Sequence, residues 1–169
     1  IGRIADGGKA WGFLLVPTPG FFNAGSPSAS RCLTLPHIIL EDGKLRISSV
    51  EHATVRFTTD NTMPGPSSPI YAGSFAPPAG TVVRARAFAP DAVPSACAVF
   101  TSDVPADAIA LTMDPEDLHG PNGIADTTNS NFSRKGRALQ REAWMQWGAK
   151  LAPVPLREGI SVAGSGSRG

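Results

Sequence analysis

The residues of this chain with the clearest potential for chemistry form a glycine-rich run near its end. The run reads Gly164, Ser165, Gly166, Ser167, Arg168 and Gly169. A glycine-rich turn after a strand can point several backbone N–H groups at a phosphate, which would suit a nucleotide. Phosphoryl transfer also needs a lysine for the phosphates, carboxylates for the metal and a base. The glycine-rich run does not itself contain a lysine, a carboxylate or a base. We therefore expect no catalysis from this segment.

A second candidate is a calcium site, because Ca²⁺ accepts carboxylate and amide oxygens. Six such side chains follow one another: Asp114, Glu116, Asp117, Asn122, Asp126 and Asn129. Their spacing differs from an EF-hand loop, and helix capping already explains the first three. Capping is therefore the favoured interpretation, and we predict no metal and no cofactor.

Histidine and serine chemistry has little support in the sequence. The three histidines, His37, His52 and His119, lie far apart, with no Cys or second His at ligand spacing. No serine lies in a Gly-x-Ser-x-Gly elbow, which argues against a serine hydrolase of that type.

Aromatic and basic side chains could instead contact a ligand. Trp144 and Trp147 would fall on opposite faces of a strand, one in the core and the other exposed, and Tyr71 and Trp144 are candidate sugar contacts. Arg84 and Arg86, with Arg56, would share one face of a sheet and could meet an acidic glycan or a neighbouring domain. The alternatives are core packing for the aromatics and an ordinary solvated face for the arginines.

The two cysteines, Cys32 and Cys97, stand on either side of the central part of the chain. In an oxidising compartment they could form a disulfide between the first and last strands. They could equally be two unpaired thiols, since sequence alone does not show that their Cα atoms approach.

Composition favours a β-rich protein. Gly (18) and Pro (16) make up about a fifth of the 169 residues, which is typical of short strands joined by many turns. A net charge of +1 suggests neither a nucleic-acid partner nor an anionic membrane, and no apolar run is long enough to cross a bilayer. The chain starts at Ile1 without Met, so we expect a fragment cut at both ends.

Alternation with a period of two predicts the strands that must position these residues. Residues 36–40 and 44–47 flank a Glu41-Asp42-Gly43 turn, and residues 53–58, 81–89 and 96–101 follow. Residues 11–15, 108–112, 143–147 and 159–163 are further strands, and Asp114 should cap a helix that begins at Pro115. We therefore predict a mainly β protein, an Ig-like β-sandwich with an incomplete α+β C-terminal segment.

The centre of the chain carries a recognisable motif. Residues 55–64 read V-R-F-T-T-D-N-T-M-P and residues 68–71 read S-P-I-Y, and a later stretch, T-V-V-R-A-R-A-F, begins at Thr81. This pattern resembles the Y-T-T-D-G-S-x-P … S-x-x-Y signature of the Ig-like domain at the C-terminus of chitobiases and beta-hexosaminidases. The resemblance implies a binding or spacer module, of a kind repeated in many secreted bacterial proteins, over residues 35–102.

The flanking segments resemble two other families. Trp11-Gly12-Phe13 with Pro17-Thr18-Pro19-Gly20 resembles the last strand of a lamin-tail domain, over residues 1–23, with a small, polar linker at 24–34. Residues 105–169 resemble the start of a CotH (spore-coat-protein-H-like) atypical kinase, through L-T-M-D-P-E-D-L at 111–118, R-E-A-W at 141–144 and G-I-S-V-A-G-S-G-S-R at 159–168. Here Leu139-Gln140 and Glu142 depart from the family pattern. We expect residues 104–169 to pack loosely.

Together these features predict a secreted or cell-envelope protein of bacterial multidomain type. Its expected role is a non-catalytic spacer or interaction module, with a polysaccharide or cell-surface glycan and the adjacent domains of the same chain as partners. The alternative is the N-terminal part of a CotH-type protein kinase whose catalytic residues lie further along.

Overall fold

The computed structural model describes residues 1–16, 18–23, 25–49, 52–126, 128, 140–148, 150–151 and 156–160. Fourteen strands and one short helix are found in this part of the chain. The strands are β1 (Gly2–Arg3), β2 (Trp11–Leu14), β3 (Ser28–Ala29), β4 (Arg31–Cys32), β5 (His37–Glu41), β6 (Lys44–Ser48), β7 (Thr54–Thr58), β8 (Val82–Phe88), β9 (Ala92–Val93), β10 (Ala98–Thr101), β11 (Ile109–Met113), β12 (Arg141–Trp147), β13 (Lys150–Leu151) and β14 (Leu156–Ile160). The helix, α1 (Pro115–His119), follows β11 directly.

A three-stranded antiparallel sheet, in the order β10-β8-β7, lies at the centre of the molecule. Its long middle strand alternates as predicted, because Val83, Ala85 and Ala87 all point to one face and have no exposed surface. The small alanines on this face leave room for larger side chains from the opposing layer.

The hairpin of β5 and β6 supplies that opposing layer. Its loop is the pair Asp42-Gly43, with φ values of 49° and 73°. Two consecutive residues with positive φ are typical of a type I′ turn, and Asp-Gly is among the sequences that adopt it readily. The turn fixes the register Glu41↔Lys44, which places Leu45 inward.

Between these two layers lies the main hydrophobic core. The buried residues are Ile38, Leu45, Ile47, Val55, Val83, Ala85, Ala98 and Phe100, with Leu35, Phe57, Tyr71 and Phe75 packed at the margin. The buried residues of this core come from β5, β6, β7, β8 and β10. The prediction of a mainly β, Ig-like sandwich is confirmed.

The stretch interpreted as a linker contributes to the fold. It carries β3, which pairs with β2, and β4, which runs parallel to β9. Leu33 is buried in a second cluster with Ala87 and Ala92. The small, polar residues of this stretch are typical of a linker. Their backbone groups nevertheless form hydrogen-bonded ladders with β2 and β9.

The C-terminal sheet has β12 in its middle, paired with β11 on one side and with β13 and β14 on the other. The strand predicted over residues 159–163 begins earlier in the structure, since β14 starts at Leu156. Asp114 caps α1 as predicted, since its side chain accepts a hydrogen bond from the backbone N–H of Glu116.

This C-terminal sheet packs on the second face of the central sheet. Thr112, Trp144 and Gln146 are buried there, while Ile109 and Trp147 point outward and are exposed. Ala143, Trp144 and Gln146 of β12 are buried, whereas the expectation of loose packing for residues 104–169 as a whole stays a prediction. No described helix has the length and hydrophobicity that a membrane span requires.

Candidate functional site

The candidate site is an open groove beside the β5–β6 hairpin, with Tyr71 in its wall. Its volume is about 720 Å³. The lining residues come from the hairpin and from the segment after Tyr71: Glu41, Asp42, Lys44, Arg46, Ile47, Ser48, Tyr71, Gly73 and Ser74.

Hydrogen bonds to β7 hold Tyr71 in place. The backbone N–H of Tyr71 donates to the carbonyl of Val55 at 2.9 Å, and the N–H of Phe57 donates to the carbonyl of Pro69 at 3.0 Å. The segment thus adds a short extra strand to the sheet, and the side chain of Arg56 secures it through a hydrogen bond of 2.5 Å to the carbonyl of Ser68.

The ring of Tyr71 is half-buried because it packs edge-on against Phe57. The two ring centroids are 6.2 Å apart and the planes meet at 86°, a T-shaped geometry that aromatic pairs favour. Phe75 continues the cluster at 5.1 Å from Phe57. The aromatic side chain is therefore held in one orientation, and part of it remains open to the groove.

The other wall is fixed by a second pair of backbone bonds. Leu45 donates to the carbonyl of Phe75 at 2.7 Å, and Phe75 donates back to Leu45 at 3.2 Å. This bridge keeps Gly73 and Ser74 opposite the hairpin, so the groove does not depend on a free loop.

Charges in the groove balance. Two acids and two bases line it, and Arg46 forms an exposed ion pair with Glu41 at 3.7 Å. Exposed pairs of this kind contribute little to stability, so these side chains are free to exchange partners with a ligand. Hydroxyl, carboxylate and ammonium groups around one aromatic ring can hydrogen-bond a polar ligand, and none of the lining residues forms a nucleophile–base pair.

Residues 60–62, within the motif at 55–64, form a tight turn. The side chain of Asp60 accepts hydrogen bonds from the hydroxyl and backbone N–H of Thr62, at 2.6 and 3.1 Å. These two bonds, the hydroxyl first, lower the pKa of the Asp60 carboxyl. Between them Asn61 adopts a φ of 63°, a left-handed conformation in which asparagine is tolerated.

Arg84 lies in a different environment from the one predicted. It has no exposed surface, and its Cζ lies 4.8 Å from the ring centroid of Trp144. The alternation placed Arg84 correctly on the second face of β8, but that face is covered by β12. Arg84 and Trp144 are therefore unavailable to a ligand in this structure, and that part of the ligand-contact prediction is wrong. Arg86 is half-buried and donates through Nε to the carbonyl of Ser95 at 2.9 Å.

The two cysteines are free thiols, Cys32 exposed and Cys97 buried. The disulfide considered from the sequence is therefore not formed in this structure. Cys32 lies in β4, next to β9, whereas Cys97 lies beneath Trp144, whose Nε1 donates to the Cys97 carbonyl at 3.1 Å. Burial raises the pKa of the Cys97 thiol to about 11.

The acidic cluster serves structure. Asp114 caps α1, and Asp117 pairs with Arg141 at 3.3 Å. Within the described residues, no three or more His, Cys, Asp or Glu side chains are arranged to hold a metal ion. The glycine-rich run from Gly164 to Arg168 lies outside the described residues, so its proposed nucleotide contact stays a prediction.

Two residues in the buried contacts escaped sequence analysis. Gln146 bonds to both backbone groups of Thr101, and Asn61 bonds to Arg84 and to the carbonyl of Met113. The one sequence signal for the second was an asparagine where a turn would accept glycine.

The fold and the groove define a small β-sandwich module, and one known family matches this part of the chain. Residues 40–101 match the family model of the chitobiase/beta-hexosaminidase C-terminal domain. The match lies within the 35–102 unit predicted from the sequence and does not extend to the segments that resemble lamin-tail or CotH domains. No curated protein matches the chain.

Proposed function

We propose that the sandwich is a non-catalytic binding module whose groove at Tyr71 receives a polysaccharide or a cell-surface glycan. The protein that carries this module would then be a secreted or cell-envelope protein of bacterial multidomain type. The observation that carries the proposal is Tyr71 itself, a half-buried ring fixed by Phe57 at the edge of a polar groove.

The groove suits sugar chemistry in two respects. A rigid aromatic face offers apolar contact to the C–H side of a pyranose without any loss of side-chain freedom on binding. Ser48, Ser74 and the charged residues of the hairpin offer donors and acceptors for hydroxyl groups. The balanced charge favours a neutral or zwitterionic glycan over a strongly acidic one.

Binding to insoluble chitin and to peptidoglycan tests the proposal. Tyr71→Ala should weaken binding by at least about fivefold, the loss expected for one aromatic contact. Tyr71→Phe should retain most of it, since the ring and its packing on Phe57 remain. Trp147→Ala is the matched control, because Trp147 is an exposed aromatic residue outside the groove.

The outcome decides between module and spacer. Thermal unfolding of each variant shows that the change in binding does not come from loss of the fold. If the unaltered protein binds none of these polymers, or if Trp147→Ala weakens binding as much as Tyr71→Ala, the groove is not a glycan site and the module acts as a spacer.

The alternative is that residues 105–169 begin a CotH-type kinase. It rests on the sequence resemblance, in which the L-T-M-D-P-E-D-L motif spans the end of β11 and the start of α1. ATP-dependent labelling by a chain extended past residue 169, and its loss when Gly164 and Gly166 are both changed to Val, would support this alternative.

A further inference from the structure

We propose that the second face of the central sheet is a docking surface for the C-terminal sheet, and that Asn61 and Arg84 select what docks there. The module would then fix the orientation of the segment that follows it, instead of tethering that segment flexibly. This role is independent of glycan binding, because the groove lies on the hairpin side of the core.

The first support is a side chain that behaves as part of a β-ladder. Thr101 lies in β10, at the edge of the central sheet. Its backbone N–H donates to Oε1 of Gln146 and its carbonyl accepts from Nε2, both at 2.8 Å. The amide of Gln146 thus satisfies an edge residue as a neighbouring strand would, and Nε2 also donates to the Gly148 carbonyl at 2.8 Å.

The second support is Asn61, whose amide connects the two layers. Its Oδ1 accepts from Nε of Arg84 at 2.8 Å, and its Nδ2 donates to the carbonyl of Met113 in β11 at 3.2 Å. Glycine would adopt the same φ of 63° at lower conformational cost but would make neither bond. Asparagine at this turn therefore has a role in contacting the C-terminal sheet.

The third support is that the buried guanidinium of Arg84 is only partly hydrogen-bonded. The guanidinium is fully buried, and its Nη1 and Nη2 atoms have no hydrogen-bond partner. Covering such a cation is unfavourable unless the covering group compensates it. The indole of Trp144 does so through its π face at 4.8 Å, the best aromatic partner for a cation. A surface that lacked an aromatic ring at this point would bury the charge without compensation, so Arg84 discriminates among docked partners.

If Arg84 discriminates in this way, a substitution at Arg84 should compensate for one at Trp144. Trp144→Leu keeps an apolar side chain but removes the π face, so the C-terminal sheet should detach from Arg84. Arg84→Met removes a positive charge whose burial under an apolar side chain is unfavourable. Replacement of buried ionic groups by apolar residues of similar volume is often neutral or stabilising. The double variant Arg84→Met/Trp144→Leu should therefore recover much of the docking, although it still lacks the hydrogen bond from Trp144 Nε1 to the Cys97 carbonyl.

Hydrogen exchange of single amides, followed by NMR in the full chain, reports docking directly. The Thr101 N–H has Gln146 as its acceptor, whereas the N–H groups within the β8–β10 and β7–β8 ladders report the sandwich alone. Asn61→Gly and Trp144→Leu should each accelerate exchange at Thr101 by at least tenfold, with little change at Val83 and Ala85. The double variant should recover much of the slow exchange of the unaltered protein. Trp147→Leu loses only an exposed hydrogen bond from Nε1 to the Ala106 carbonyl and should leave exchange at Thr101 almost unchanged.

Two results would overturn the proposal. One is unchanged exchange at Thr101 in both single variants, which would mean that neither residue controls docking. The other is equal acceleration at Thr101 and at Val83, or a double variant no better than Trp144→Leu, which would mean that the changes act on overall stability and not on recognition.

Discussion

Raising the pH should destabilise this protein through one buried thiol. Burial raises the pKa of Cys97 from 9.0 to about 11, and the nearby Arg84 and Arg86 lower it only in part. The unfolded chain therefore releases this proton near pH 9, while the folded chain keeps it until about pH 11. The stabilising contribution is fully present below pH 9 and is lost as the pH rises toward 11, because the unfolded state binds fewer protons in that interval.

The size of the effect follows from the separation of the two pKa values. A separation of about two units corresponds to about 2.7 kcal/mol in the free energy of unfolding when both states are deprotonated. At about pH 10, where mainly the unfolded thiol has ionised, the loss is about 1.4 kcal/mol. A loss of this size is large compared with the stability of a typical small domain.

Urea unfolding under reducing conditions, at about pH 8 and about pH 10, measures this loss. Other groups also titrate there, so the quantity to compare is the difference between the unaltered protein and Cys97→Ala at each pH. That difference should change by about 1.4 kcal/mol between the two conditions. A difference for Cys97→Ala that does not depend on pH would refute the reasoning, since the thiol would then be hydrated in the folded state.

Two further predictions concern the core and its hairpin. Leu45→Ala should cost about 2–5 kcal/mol of unfolding free energy in chemical denaturation, because Leu45 has no exposed surface, whereas Leu40→Ala, at an exposed position of the same hairpin, should cost far less. Gly43→Ala should lower stability by about 1–2 kcal/mol, since φ at Gly43 is 73°, and Gly73→Ala, with no atom within 4 Å of its added Cβ and no positive φ, should not. Equal effects at Gly43 and Gly73 in thermal unfolding would contradict this explanation of the turn.

The sandwich was predictable because its information is local. Alternation along residues 82–88 shows which side chains share a face, and Asp42-Gly43 fixes the register of a hairpin on its own. The helix cap at Asp114 depends on neighbours within two residues. Each of these features is set by backbone geometry and by side chains close in sequence.

What covers each face was not predictable in the same way. Alternation assigned Arg84 to the side away from Val83, but whether water or protein lies there depends on Trp144, sixty residues further along. A charged residue normally indicates a solvated face, so the general rule pointed the wrong way here. The groove likewise depends on residues that are distant in sequence. Tyr71 was identifiable from its motif, but the hairpin side chains that line the groove beside it were not.

The way the chain passes through the sandwich has a mechanical consequence. The first strand of the sandwich is β4, whose ladder with β9 has two residue pairs. Its last strand is β10, whose ladder with β8 has four. Beyond β10, Ser102 is anchored to Thr81 through two hydrogen bonds of 2.8 and 2.9 Å. If the two ends are pulled apart, we expect β4 to peel away first and release about 3.5 Å of length per residue. The core between the hairpin and the central sheet would still hold, so the module would yield in two stages, with its weaker joint on the amino-terminal side.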